Sequence, residues 1–259
     1  MAIEQIISLL RNNTDHRRLE DIKRLWPELG KKLESLLGIQ VTPKPVPASS
    51  LRNDVGKTVL DFSAGLPDPG IIKSNGHVGV IHYVSDKRPG ANWMIAKPVT
   101  KNYADKLRSL GLSNVSNFQL GKGATSDWRF GFENGVKCAK RAVELHLAAG
   151  GPESAVIYAS IDDDPTYTEF INLIRPYLLG WESVIGHYRL GVYGNYDTIQ
   201  WCVEDKLGEY FWQHMWSGDG KRNLHSKANL VQDRIDKDKV DGVTVDINIL
   251  LKVDYGQWR

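Results

Sequence analysis

Cysteine is scarce in this chain. Only Cys138 and Cys202 occur in 259 residues, too few for a disulfide framework. Cys138 falls inside a helical pattern and Cys202 beside Trp201 in another, so both read as small buried hydrophobes rather than nucleophiles or ligands. Charge of one sign is lacking too. Lys and Arg number 33, Asp and Glu 31, for a formal charge of +2. That balance leaves no footprint for nucleic acid, although it does not exclude an anionic polymer. No apolar run approaches the length of a membrane span. The opening MAIEQIISLLRNNTD has neither a basic leader nor a small-residue cleavage site, so no secretory signal is expected. His77, His82, His187, His214 and His225 lack a metal-ligand spacing such as HExxH, and no metal or cofactor is expected. His82 and His214 fall within strands and read as core or cleft donors. The nucleophile elbow GxSxG is absent. The Gly-rich GKGATSDW (Gly121–Trp128) departs from the phosphate-loop arrangement and reads as a loop over a rim.

What is present falls into three parts. Residues 1–41 carry two helical stripes, Ile3, Ile6, Ile7, Leu10 and then Leu19, Ile22, Leu25, Leu29, Leu33, Leu36, Leu37. Such a segment must pack on the main domain, on a second copy or on a larger assembly. Residues 42–50 hold Pro43, Pro45 and Pro47 and read as a stiff linker. Residues 51–259 alternate short apolar strands with helices. Strands are expected at Val59–Phe62, Gly79–Ser85, Asn114–Leu120, Ala155–Asp162, Leu190–Gly194, Tyr210–Trp216, Ala228–Asp233 and Gly242–Ile249. Helices are expected at Asn102–Leu110, Glu133–Ala149 with a stripe of Val136, Val143 and Leu147, Thr166–Leu179, and from an Asp197 cap to Gly208. The pattern predicts an α/β fold, a TIM-like (β/α) barrel of parallel strands. Its late connections are too short for full crossover helices, so the second half should be irregular, with strand-only links.

Reactive groups of such barrels gather at the carboxyl ends of the strands. Those ends carry Asp61, Tyr83 and Ser85, Gln119, Asp162 and Asp164, Tyr193 and Asn195, Gln213 and Trp216, Gln232 and Asp233, and Asp246. DDDP alone could be a solvated turn. Asp246 is harder to dismiss, because it interrupts the β-branched run VTVDINI with no turn to serve. The fourth strand runs into Asp162, so alternation is expected to send Asp162 and Asp164 to one side, where their repulsion should raise one pKa. Cleavage of glycosidic bonds requires a carboxyl of that kind.

VLDFS, IYASIDDDPT, LGVYGN, FWQHMWSGDG, LVQD and VTVDIN, in that order, resemble a glycoside-hydrolase-like domain of actinobacterial and phage proteins. That domain is similar to the family twenty-five lysozymes, which cut the glycan of peptidoglycan. The resemblance spans about residues 56–259. It implies Asp164 as proton donor, with Asp162, Asp61 and Asp246 shaping charge around it. It implies Tyr83, Gln119, Tyr193, Gln213, Trp216 and Gln232 lining sugar subsites. No cofactor is implied; the partner would be a cell-wall polysaccharide, with no nucleic acid or membrane. One departure stands out: the lysozyme family has Asp-x-Glu on its fourth strand, and here the glutamate position is Asp164. The function so implied is a lysozyme-type hydrolase, a phage lysin or virion-associated lysin docked or oligomerised through residues 1–41. It would be found in the virion, or in the host cytoplasm before release. The alternative is a non-catalytic glycan-binding module of a phage tail or virion protein. A barrel enzyme acting on a small metabolite is a third reading, disfavoured by the missing phosphate signature.

Overall fold

The computed structural model describes residues 51–216 and 223–259. The helical segment and Pro-rich linker expected before Leu51 lie outside the described residues. Eight strands close into one barrel in chain order: β1 Thr58–Asp61, β2 Gly79–Tyr83, β3 Ser113–Phe118, β4 Ile157–Ser160, β5 Leu190–Gly194, β6 Tyr210–His214, β7 Leu230–Val240 and β8 Val243–Leu250. Neighbours from β1 to β7 are parallel. Strand β8 is antiparallel to both β7 and β1, which corrects the expectation of an all-parallel barrel. The cause is local. Asp241 and Gly242 both take positive φ, 51° and 75°, in the tight turn that makes a hairpin of β7 and β8. Strand β7 also runs on well beyond Asp233, through residues whose charges conceal the strand pattern.

Among the described residues, five helices of six residues or more cover the barrel: α1 Pro69–Ser74, α2 Lys101–Ser109, α3 Gly131–Ala148, α4 Arg175–Ile185 and α5 Tyr196–Asp205. Residues Phe170–Ile174, just ahead of α4, form a π-helical turn. Helix α3 turns a different face inward from the one its bulky residues suggest. Gly135, Cys138, Ala139, Ala142 and His146 are buried, and Leu147 is exposed. Small residues win because α3 and α4 touch backbone to backbone: a Cβ on Gly135 would lie 2.1 Å from the Tyr177 carbonyl oxygen, and one on Gly180 2.3 Å from that of Phe132. Helix α5 is capped by Asn195, whose Oδ1 accepts from the Thr198 amide at 2.8 Å, and not by Asp197.

The pleat sorts each strand into two faces. Val59, Ile81, Val115, Tyr158, Tyr193, Trp212, Leu230 and Leu250 fill the barrel interior, and Tyr255 packs with them. Leu60, Val80, Ile157, Val192 and Phe211 face the helices. Tyr158 Oη donates to the Tyr255 carbonyl at 2.9 Å, and Trp258 pairs with Asn114. Tyr255 thus closes the barrel interior, while Trp258 packs outside it against His82 and His146. Cys138 and Cys202 are buried free thiols.

Candidate active site

The inward face that is apolar at mid-strand turns polar where β1–β6 end. Asp61 is the last residue of β1 and sits directly opposite Asp246 of β8. Because β8 is antiparallel, its early residues, not its late ones, reach the rim where β1 ends. An acid inside a strand thus arrives among strand-end groups. Asn248, two residues further along, shares its face. Asn248 Nδ2 donates to Asp61 Oδ2 at 2.7 Å while its Oδ1 accepts from Trp212 Nε1 at 2.8 Å. Gln232 bridges the two acids: Nε2 donates to Asp61 Oδ2 at 3.2 Å and to Asp246 Oδ2 at 3.1 Å, and Oε1 accepts from Tyr193 Oη at 2.7 Å. Tyr83 Oη lies 3.5 Å from Asp61 Oδ1. Asp246 Oδ1 accepts from the Asp236 amide at 2.8 Å.

Burial governs the charge of this pair. Asp61 is 2% exposed. Loss of water and then the nearby Asp246 carboxylate raise its pKa to about 8, against the opposing pull of Asn248 and Gln232. Asp246 is less buried and rises to about 6, chiefly from lost solvation.

The β4 acids differ. Strand β4 ends at Ser160, so Asp162, Asp163 and Asp164 lie in the loop beyond it and strand alternation does not align them. Each has a separate anchor. Asp162 Oδ2 accepts from Gln119 Nε2 at 2.8 Å, with Lys122 Nζ 3.9 Å away. Asp163 accepts from Ser126 Oγ at 2.6 Å and Trp128 Nε1 at 3.0 Å, which ties the Gly121–Trp128 loop to the DDDP turn. Asp164 is exposed, and its Oδ1 accepts from Asn195 Nδ2 at 2.5 Å. The charge of Asp162 reaches Asp61, Asp246, Tyr83 and Tyr193; that of Asp164 reaches His214. The raised carboxyls therefore sit at the β1–β8 seam, not between Asp162 and Asp164.

Asp61, Asp246, Asp162, Tyr83, Gln119, Tyr193 and Gln232 thus share one rim. Asp164 joins them on the β5–β6 side. Trp216 is 39% exposed and stacks on His214, with centroids 4.2 Å apart and planes at 11°. Gln213 stands apart, since its neighbours Trp212 and His214 take the inward face. Its amide instead holds the segment after residue 222, donating to the Asn223 carbonyl at 2.7 Å and accepting from the His225 amide at 2.8 Å. Trp128 and Asp127, at the end of the loop expected over the rim, are buried.

Asn248 and Lys97 escaped the sequence reading. Asn248 had a usable signal, since it follows Asp246 at the spacing that keeps one strand face. Lys97 had none, being a loop lysine. It is only 2% exposed. Its Nζ donates to the Gln119 carbonyl at 2.7 Å and lies 3.9 Å from the centroid of the Tyr83 ring. Burial and then the charge of Arg88 lower its pKa to about 7. Among the described residues no group of three or more His, Cys, Asp or Glu could hold a metal ion, and no helix is long and apolar enough to cross a membrane.

An eight-stranded barrel with acids and amides at one rim is the arrangement of the glycoside-hydrolase-like barrels. The chain belongs to the Rv2525c-like, glycoside hydrolase-like domain family, whose model matches residues 71–250. It is 51% identical over 223 residues to Rv2525c of Mycobacterium tuberculosis, a protein named for a proposed peptidoglycan hydrolase activity. That match covers 86% of this chain and 92% of the relative. The crystal structure of the same Tat-secreted protein in complex with L-tartrate superposes with a TM-score of 0.76 at 53% identity, covering 79% of this chain and all of that one. The autolysin LytC of Streptococcus pneumoniae, solved with a synthetic peptidoglycan ligand, shares the fold. Its TM-score is 0.51 at 15% identity, over 74% of this chain and 46% of that one.

Proposed function

We propose that the chain is a peptidoglycan-directed glycoside hydrolase of lysozyme type. The observation that carries this is the division of labour at one rim: a buried, bridged acid pair from β1 and β8 beside exposed or half-buried acids on the β4 loop. Asp164 is the proton donor. Asn195 holds its Oδ1, and the carboxyl carries the proton that acid catalysis requires. A glycan laid over the exposed carboxyl excludes water from the reacting bond. As the bond breaks, that proton passes to the glycosidic oxygen and positive charge develops on the sugar ring until water adds there. Asp162, held by Gln119, faces that charge, and the Asp61–Asp246 pair adds one ionised carboxyl. Tyr83, Tyr193, Gln119 and Gln232 orient hydroxyl and acetamido groups, and exposed Trp216 offers a stacking face. Aspartate at 164 is one methylene shorter than the glutamate of the lysozymes. Misplacement of a catalytic group by about 1 Å costs on the order of a hundredfold in rate, so turnover is slow.

Release of reducing ends from purified peptidoglycan tests the reading. The wild type should release them. Asp164→Asn should lose at least about a hundredfold in rate while retaining sedimentation with insoluble wall. Asp164→Glu should exceed the wild type. Wall binding with no turnover at either Asp or Glu would favour a glycan-binding module, the reading that the exposure of Asp164 supports. The finer reading, a phage or virion lysin using residues 1–41 as an assembly arm joined through 42–50, is tested by sedimentation of the full chain against one starting at Leu51. Equal monomeric masses would remove the assembly arm.

A further inference from the structure

Three cations stand on the β2–β3 side of the rim, and none is hydrogen-bonded to a carboxylate. Lys97 is buried with its ammonium on a carbonyl and against the Tyr83 ring. Lys122 comes no nearer than 3.9 Å to Asp162. Arg88, in the turn after β2, is half-buried. Its Nε is shielded from water and meets no acceptor, and no carboxylate lies within ion-pair distance of its guanidinium among the described residues.

The acids that would ordinarily neutralise them are engaged elsewhere. Asp86 is held by Arg141 through two bonds of 2.8 Å. Asp127 accepts from the Leu120 and Gly121 amides at 2.9 and 3.2 Å. Arg88 follows the carboxyl end of β2, the end of the barrel where the acids gather, and its charge is felt at Tyr83, Lys97 and Asp127. An Nε–H out of water without an acceptor is costly, more so on a guanidinium beside a buried ammonium. An anion in the cleft would remove both costs.

We propose that Arg88, backed by Lys97 and Lys122, forms a subsite for a carboxylate carried by the bound glycan. The planar fork of Arg88 fits a carboxylate through two parallel N–H donors, a match that an ammonium cannot make. The cleft then has two sides, acids at β1, β8 and β4 for the scissile bond and cations at β2–β3 for an acidic substituent nearby. This rests on the glycan reading and adds to it that the substrate is an acidic saccharide with a free carboxyl, such as wall glycan stripped of its peptides.

Calorimetric titration of the full chain tests this with two soluble probes: peptide-free glycan oligosaccharides with free muramoyl carboxyls, and the same oligosaccharides with those carboxyls reduced to alcohols. The wild type should bind the acidic probe at least about tenfold more tightly, as loss of one charge-assisted bond implies. Arg88→Gln should bind both probes alike, and Arg88→Lys should recover part of the preference. Equal affinity of the wild type for both probes would overturn the subsite and leave the glycan reading intact. A preference undiminished in Arg88→Gln would overturn the assignment to Arg88. No binding of either probe would overturn the glycan reading, and the subsite with it.

Discussion

The β1–β8 seam and the β4 loop both carry acids, and they treat them in opposite ways. At the seam, Asp61 and Asp246 are fixed by strand register and bridged by Gln232, Asp61 buried and Asp246 half-buried. Their protonation is a property of the fold. On the loop, Asp162, Asp163 and Asp164 are held one by one, by Gln119, by Ser126 with Trp128, and by Asn195. Asp162 and Asp163 are half-buried and Asp164 is exposed. The contrast teaches that one rim can set its acids in two ways, by burial at a strand seam and by single anchors on an open loop. It follows that seam substitutions should act on stability and loop substitutions on turnover.

The largest expected effect is at Asn248. Asn248→Leu removes a donor from Asp61 and the acceptor of Trp212 Nε1. Unpaired buried polar groups should cost about 1–3 kcal/mol each, read by urea denaturation. Asn248 also holds the Asp61 pKa down, so its loss should raise that pKa further. An unchanged midpoint would show that the seam contributes nothing to the fold.

Next is the dependence on pH. Asp61 and Asp246 have raised pKa values in the folded chain, to about 8 and about 6, so the native state binds more protons than the unfolded one above pH 4. Their favourable contribution is complete below the unfolded aspartate pKa. It should be lost as pH rises through about 6 and then about 8, at up to about 1.4 kcal/mol per pH unit for each proton held. Asp61→Asn should remove the upper part of that slope. A flat stability profile between pH 5 and 9 would contradict the buried, protonated seam.

Asn195→Ala should cost about 1 kcal/mol, the value of a helix cap. Its larger mark should be on turnover, because Asp164 loses its Oδ1 donor. At the bottom of the scale, Arg234→Ala on the β7–β8 hairpin removes an exposed pair with Asp238 at 2.8 and 3.0 Å. It should change stability by less than about 1 kcal/mol and less still in high salt.

The seam and the loop also differ in how far the sequence discloses them. DDDP shows itself as a run of acids, yet its separate anchors depend on three other loops and are invisible in one dimension. Asp246 is visible as an acid in a β-branched run. Its meeting with Asp61 depends on the direction of β8, which hydrophobic alternation does not encode. The Asp241–Gly242 pair between apolar residues was the available sign of a hairpin. The outward turn of Gln213 was legible too, because Trp212 and His214 claim the inward face on either side of it. The eight strands could be read because each is a short apolar run. The buried face of α3 could not, because it is made of glycine and alanine and set by contact with α4. Lys97 and Arg88 sit in a loop with no period, and only folding brings them to the rim.

The stored proton can be observed directly. Carbon-13 NMR of the aspartate carboxyls through a pH titration, with Asp61→Asn and Asp246→Asn to assign the resonances, reports each group's protonation. The account predicts that the Asp61 carboxyl titrates near pH 8 and Asp246 near pH 6. Removal of Asp246 should bring Asp61 down, as its charge is the second cause of the shift. Titration of both carboxyls below about pH 5, in the range of unperturbed aspartates, would contradict it.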